Sequence, residues 1–279
     1  MLQLFSPVTG SKSVVDRTDW IKTAAIILVA IDHTGLFFIE DDEWWRLAGR
    51  LAAPIFFYLV GFAQTRKVPA HWIVLGILLT LLDSWNEGWN WVAPNILLSF
   101  ALVRFARPAI NRLVESGWPG LVTITVLLVL ALPLASSVVE YGAEGWLWAL
   151  FGLCQRVWLD RASLDQARQD LPRAQAGGQD RPPSVAGHMR TAAAVVAAII
   201  FVWQEQKDFA FDITKTSALA CGVAVMSVAL WRFRRGPSQI RLPAPAAATL
   251  AFVGRNTLEL YVLQLVSSEI IAKILSAGS

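Results

Sequence analysis

The sequence predicts an all-α membrane protein, a polytopic helical bundle of about nine transmembrane spans (nine to ten), and three observations carry that prediction. Hydrophobic residues make up 55% of the 279, mean hydropathy is +0.50 and only 16% are charged, where a soluble chain carries about a quarter charged residues. Apolar stretches that approach the roughly 20 residues needed to cross a bilayer recur along the whole chain. Lys and Arg gather in alternate connections between them, as they do in segments left on the cytoplasmic side.

From the N-terminus, spans are read at 20–39, 47–63, 71–83, 91–105, 120–139, 144–159, 191–204, 216–231 and 257–276. Residues 1–19 hold no long apolar run before a small-residue cleavage site, so the first span is expected to remain as an uncleaved anchor. Spans three and seven are the shortest, and flanking Trp residues lengthen them. The inner segments then contain Lys12, Arg17 and Lys22; Arg66 and Lys67; Arg104, Arg107 and Arg112; the Arg-rich stretch 156–190; and Arg232, Arg234, Arg235 and Arg241. The outer ones hold Glu40, Asp41, Asp42 and Glu43, then Asp83 and Glu87, Glu140 and Glu144, and Glu205, Asp208 and Asp212. No connection breaks the alternation. It places the N-terminus in the cytoplasm and the C-terminus on the far side of the membrane.

All thirteen Trp fall near predicted span ends, as an aromatic belt at the two interfaces does. The outer cluster, including Trp44, Trp45, Trp85 and Trp89, also has the chemistry to stack on a sugar. The inner segment 160–190 is rich in Ala, Arg, Gln, Asp, Gly and Pro and poor in large apolar residues, so it is read as a mobile loop within a single domain, 1–279. The net charge of +3 and pI near 9.1 reflect the inner arginines and imply a lipid bilayer as partner rather than nucleic acid. Cys154 and Cys221 lie in apolar stretches far apart, so neither a disulfide nor a metal site is expected.

The chemistry concentrates in the first two spans. An Asp within a span costs roughly 2.5–3.5 kcal/mol on insertion and is retained for a reason. Here Asp32 and His33 are adjacent, and Arg50 opens the second span. Counting 1.5 Å per residue from each span's start puts all three at one depth, near the outer surface. Neighbouring residues on a helix point about 100° apart, so Asp32 is expected to pair with Arg50, leaving His33 facing a cavity. There a neutral imidazole can take a proton from an attacking hydroxyl or amine. The competing reading is a satisfied network that only locks the two spans together. Gly35, Gly49, Pro54 and Gly61 surround these residues and permit close helix approach.

The run IKTAAIILVAIDHTG followed by LAGRLAAPIFFYLVGFAQTRK resembles the TraX family of membrane proteins. Its pattern is matched by Lys22, Asp32, His33 and Gly35, then Gly49, Arg50, Leu51, Ala52, Pro54, Ile55 and Phe56. Thr65-Arg66 is similar to the family's polar turn and Asn95-Ile96-Leu97 to its Asn-led fourth span, so the likeness covers about residues 17–105. It implies N-terminal acetylation of a pilin by a protein of the bacterial inner membrane, which makes the far side, with the C-terminus, the periplasm. TraX is similar in turn to the broader transmembrane acyltransferases, which carry an acyl group from cytoplasmic acyl-CoA to an acceptor across the membrane with a His in an early span. The resemblance therefore implies acetyl-CoA or another acyl-CoA as donor, an exported protein or glycan as acceptor, and His33 as catalytic base with Asp32 and Arg50. FVGRNTLELYVLQL looks like the superfamily's closing helix, with Asn95, Tyr261 and Gln264 as substrate-binding candidates. Gln264 stands where that helix often has His, and Val60 where many TraX sequences have Glu.

On the donor side, Asn256 and Glu259 resemble a capping box that starts the last span just after Arg255. Arg255, with Arg232, Arg234 and Arg235 upstream, is suited to clamp the phosphates of an acyl-CoA. No glycine-rich nucleotide loop is present in the sequence. Two other classes compete. In a transporter, Asp32 and His33 would form a proton relay, although the halves lack matching interrupted spans. In a non-catalytic assembly factor, the span would matter and His33 would not.

Overall fold

A computed structural model describes residues 15–39, 41–65, 67–90, 92–169 and 184–277. Among these residues the chain forms eleven helices and no strand: α1 (Arg17–Phe38), α2 (Glu43–Gly49), α3 (Ala52–Phe62), α4 (Ala70–Asn86), α5 (Ile96–Glu115), α6 (Trp118–Val138), α7 (Gly142–Gln169), α8 (Ser184–Phe209), α9 (Ile213–Arg232), α10 (Ala244–Arg255) and α11 (Thr257–Ala277). Five of them hold segments long and apolar enough to cross a membrane: Arg17–Phe38, Trp118–Ala135, Val185–Phe209, Ile213–Arg232 and Thr257–Ala277.

Helix starts follow local chemistry. Asp16 caps α1 by accepting from the Thr18 backbone N–H at 2.9 Å, while Asp19 accepts from the Asp16 N–H at 2.9 Å, a reciprocal capping box. Asp42, Asn95 and Asp212 cap α2, α5 and α9 one way, their side-chain oxygens accepting from the N–H of Trp44, Leu97 and Lys215. Between α5 and α6 the chain turns at Gly117, whose φ of +91° suits a residue without Cβ, and Pro119 opens the next helix.

The helices divide into two compact units, Met1–Phe56 with Phe211–Ser279, and Phe57–Ala210. In the first, α1 packs on α2, α10 and α11, and α2 on α9. The connection after α9 is fastened to the start of α1: the Arg17 N–H donates to the Gly236 carbonyl at 3.0 Å and the Ser238 N–H to that of Val15 at 2.8 Å. Lys22 Nζ donates to the Gly254 carbonyl at 3.0 Å.

In the second unit α7 packs on α5, α6 and α8, with Phe57, Tyr58, Trp148, Phe151 and Phe201 fully buried. A Cβ on Gly61 or Gly152 would run into the backbone of Ala149 or Tyr58, so α3 and α7 touch main chain to main chain. Across α7 and α8, buried Arg190 donates to Gln155 Oε1 at 3.0 Å and stacks 3.5 Å over the Trp158 ring. Gln155→Leu is expected to lower stability by about 1–3 kcal/mol, because a buried guanidinium loses an acceptor. Thermal unfolding in detergent measures it.

Several expectations need correction. The second predicted span, 47–63, is two helices, α2 and α3, broken at Arg50-Leu51. The segment read as a loop from 160 is helical to Gln169 and again from Ser184, and 170–183 lies outside the described residues. α10, Ala244–Arg255, lies between the predicted spans 216–231 and 257–276, where the sequence predicts only a connection. The short third and seventh spans belong to full helices, α4 and α8. Trp148 is core rather than belt, 0% exposed against Phe151 and Phe201, whereas Trp85 and Trp89 are 68% and 69% exposed. Cys154 is buried and Cys221 is exposed.

Candidate functional site

α1 brings Asp32 and His33 to its C-terminal third, and α2 lies directly against them. The crossing is close because both partners are glycines. A Cβ on Gly35 would stand 2.6 Å from the Trp45 Cβ, and one on Gly49 would overlap the Asp32 main chain. That approach lets Arg46, on α2, reach Asp32 twice: Nη1 lies 2.9 Å from Oδ2 and 3.2 Å from the Asp32 carbonyl oxygen. Side-chain exposures of 17% and 15% put the pair mostly out of solvent.

The close ion pair of Asp32 is thus with Arg46, where the spacing predicted Arg50. Arg50 sits at the break between α2 and α3, and its charge acts on both Asp32 and His33. Arg46 was missed because it precedes the predicted span, among residues assigned to an outer connection. The available signal was its position one helical turn before Arg50.

His33 is 7% exposed. Its ring lies 6.1 Å from that of Phe37, one turn along α1, and 6.0 Å from that of Tyr261 on α11. Gln264 is one turn beyond Tyr261 on the same face of α11. Asp32 Oδ1, His33 Nδ1 and Gln264 Oε1 are among the side-chain polar atoms of this unit that are buried without a hydrogen-bond partner among the described residues; Thr23 Oγ1, farther down α1, is another. Buried polar groups are nearly always satisfied, so such orphans mark where the donors and acceptors of a water or a ligand fit. The imidazole can accept or hand on a proton, the carboxylate can orient a donor, and the amide can hold a polar acceptor group.

The predicted donor residues gather at the opposite end of α1. Arg232 closes α9, Arg234 and Arg235 follow it, and Arg255 closes α10; all four are exposed. Arg235 Nε stands 4.0 Å from Asp16 Oδ2, beside the first turn of α1. From Asp19 to His33 is fourteen residues, about 21 Å of helix. The proposed capping box at Asn256 takes a different form: its Nδ2 donates back to the Phe252 carbonyl at 2.9 Å. Asn95 belongs to the second unit, where its Oδ1 caps α5 through the Leu97 N–H and its own N–H donates to Thr80 Oγ1. Arg66 lies outside the described residues.

Arg46→Gln is expected to cost about 2–3 kcal/mol, less than for a fully buried pair because Arg50 still acts on Asp32. Arg46→Lys, which keeps the charge without the guanidinium fork, is expected to recover part of the loss. Thermal unfolding of the three proteins checks both.

The model of the family described as TraX protein matches residues 17–167. The chain is 32% identical over 136 residues to Protein TraX of Escherichia coli, an alignment covering 47% of this chain and 53% of that protein. It is 31% identical over 136 residues to Protein TraX of Escherichia coli strain K12, with the same coverage. An uncharacterized protein of Rickettsia prowazekii, RP591, is 26% identical over 128 residues, 44% of this chain and 50% of that one. The chain spans about half the length of the curated relatives it matches. No solved structure matches it.

Proposed function

This chain belongs to the TraX family, and on that premise we propose that it is an inner-membrane acyltransferase, moving an acetyl or other acyl group from cytoplasmic acyl-CoA to an exported acceptor. The observation that carries the reading is His33, a nearly buried imidazole with an unpartnered Nδ1 beside an Asp32 held by Arg46. The acceptor is a pilin amino terminus or a glycan hydroxyl. Its nitrogen or oxygen attacks the thioester carbonyl while His33 takes the proton it loses. The C–S bond breaks, the acyl group stays on the acceptor, and CoA leaves as the thiol once its sulfur regains a proton.

Arg232, Arg234, Arg235 and Arg255 suit the CoA phosphates, since guanidinium groups pair with phosphate at two points. Their separation from His33 along α1 is what the long arm of CoA, between its phosphates and its thioester, has to span. Tyr261 and Gln264 would line the acceptor side. The orientation inferred from the charge pattern faces the His33 end outward.

The test uses the purified protein in lipid with radiolabelled acetyl-CoA. CoA release or acyl transfer by the wild type, lost in His33→Ala, supports the reading; equal turnover by both sinks the assigned role of His33. A transporter remains the second reading because span two is broken at Arg50, and discontinuous helices line transport sites. It predicts substrate flux with no donor turnover.

A further inference from the structure

The second unit contains a cavity of ≈ 360 Å³ between α5 and the second half of α7. Pro108, Leu153, Val157 and Leu164 give it an apolar wall, while Arg107, Arg156 and Arg161 bring three guanidinium groups to the same space. Two carboxylates also line it, and each is engaged. Asp160 takes a two-point ion pair from Arg156, Nε to Oδ2 at 2.9 Å and Nη2 to Oδ1 at 2.8 Å. Glu115 Oε1 accepts from Asn111 Nδ2 at 2.5 Å.

The lining therefore keeps positive charge over. Arg161 is exposed and makes no hydrogen bond or ion pair among the described residues. Arg107 is placed by a 3.3 Å bond from Nη1 to the Thr65 carbonyl, and a guanidinium has five N–H donors to share. Gln64 adds an exposed amide at the same rim. Arginine at the inner edge of a membrane explains the residue type. It explains neither the concavity nor the apolar residues that line it together with the charges.

We propose that this cavity binds a ligand joining a phosphate to an apolar chain, the phosphate held by Arg107 and Arg161 and the chain laid along Pro108, Leu153 and Val157. Two sources share that chemistry: the headgroup of an anionic phospholipid, and a phosphate-bearing acyl carrier such as an acyl-CoA. The cavity is separate from the Arg232, Arg234, Arg235 and Arg255 cluster assigned above to the donor's phosphates, so binding is read with that cluster neutralised and does not depend on the acyl-transfer reading.

The full chain in phosphatidylcholine nanodiscs, with Arg232, Arg234, Arg235 and Arg255 all changed to Gln as the common background of every protein compared, is titrated separately with butyryl-CoA and with dihexanoyl phosphatidic acid. Saturable binding of either one is expected, about tenfold weaker in Arg161→Gln and weaker again in Arg107→Gln/Arg161→Gln. The preferred probe identifies the source. Arg161 is exposed and unbonded, so its single variant keeps the fold, which an unchanged melting temperature verifies. Arg241→Gln, in the other unit, is expected to bind as the background protein does. No saturable binding of either probe, equal affinity in the Arg161→Gln protein, or an equal loss in the Arg241→Gln protein overturns the proposal.

Discussion

His33→Ala is expected to lower acyl transfer by roughly 10²–10⁴-fold, the usual contribution of a positioned general base. The substitution deletes a ring that meets Phe37 edge-on and lies tilted against Tyr261 but has no hydrogen bond to Nδ1 among the described residues. Stability should fall only by the cavity left behind, about 1–3 kcal/mol. A purely structural histidine predicts the reverse proportion, a drop in melting temperature with activity per folded molecule preserved. Two further variants sharpen the contrast. His33→Gln keeps hydrogen-bonding groups at the position but has no basic nitrogen, so it should be nearly as inactive as the alanine protein. Added imidazole should return part of the activity to His33→Ala, since the space it vacates fits the missing ring, and none to His33→Gln. Transfer by His33→Ala within threefold of wild type removes the base from the mechanism.

What was legible in the sequence was the part written in hydropathy and charge. A run such as IKTAAIILVAIDHTGLFFI has one stable solution in a bilayer, a helix that meets its own backbone hydrogen bonds, and α1 takes it. Asp32 and His33 stood out because polar groups inside such a run are costly. The break in span two was hidden because residues 47–63 are apolar throughout except at Arg50. Nothing in composition says that Trp44, Trp45 and Leu47 belong to a separate short helix laid on α1. α10 was hidden for the opposite reason. Its sequence, APAAATLAFVGR, is only 12 residues long and follows Pro243, so it is too short and too rich in proline to register as a span. The ends of α7 and α8 illustrate a third limit. DRASLDQARQ is polar, and a search for membrane spans discards it, yet Ala, Leu, Arg and Gln are good helix formers. α7 continues through it to 28 residues, about 42 Å, well past the roughly 30 Å of a hydrocarbon core. The pairing of Asp32 went to Arg46 because the break after Gly49 sets Arg46, one turn before Arg50, on the short helix that crosses α1.

That contact makes Gly49→Ala the second large expected effect. The added methyl would fall on the Asp32 main chain, with the backbone nitrogen 2.7 Å away, so no side-chain rotation relieves it. α2 has to lift from α1, and a lift of even a fraction of an ångström pulls Arg46 from the carboxylate it meets at 2.9 Å. A loss of about 3 kcal/mol is expected, the upper part of the range for overpacking, together with most of the transfer activity. Gly222→Ala in the same unit is the control, since its methyl would meet the Leu51 Cδ1 at 3.1 Å, the free end of a flexible side chain, and should cost under about 0.5 kcal/mol. A double-mutant cycle then separates packing from charge. If the glycine exists to bring Arg46 to Asp32, Arg46→Gln should cost far less in the Gly49→Ala protein than in wild type, a coupling of about 1–2 kcal/mol. Additive losses would mean that Arg46 reaches Asp32 with or without the close crossing, and the glycine would then be a packing residue with no part in holding the site.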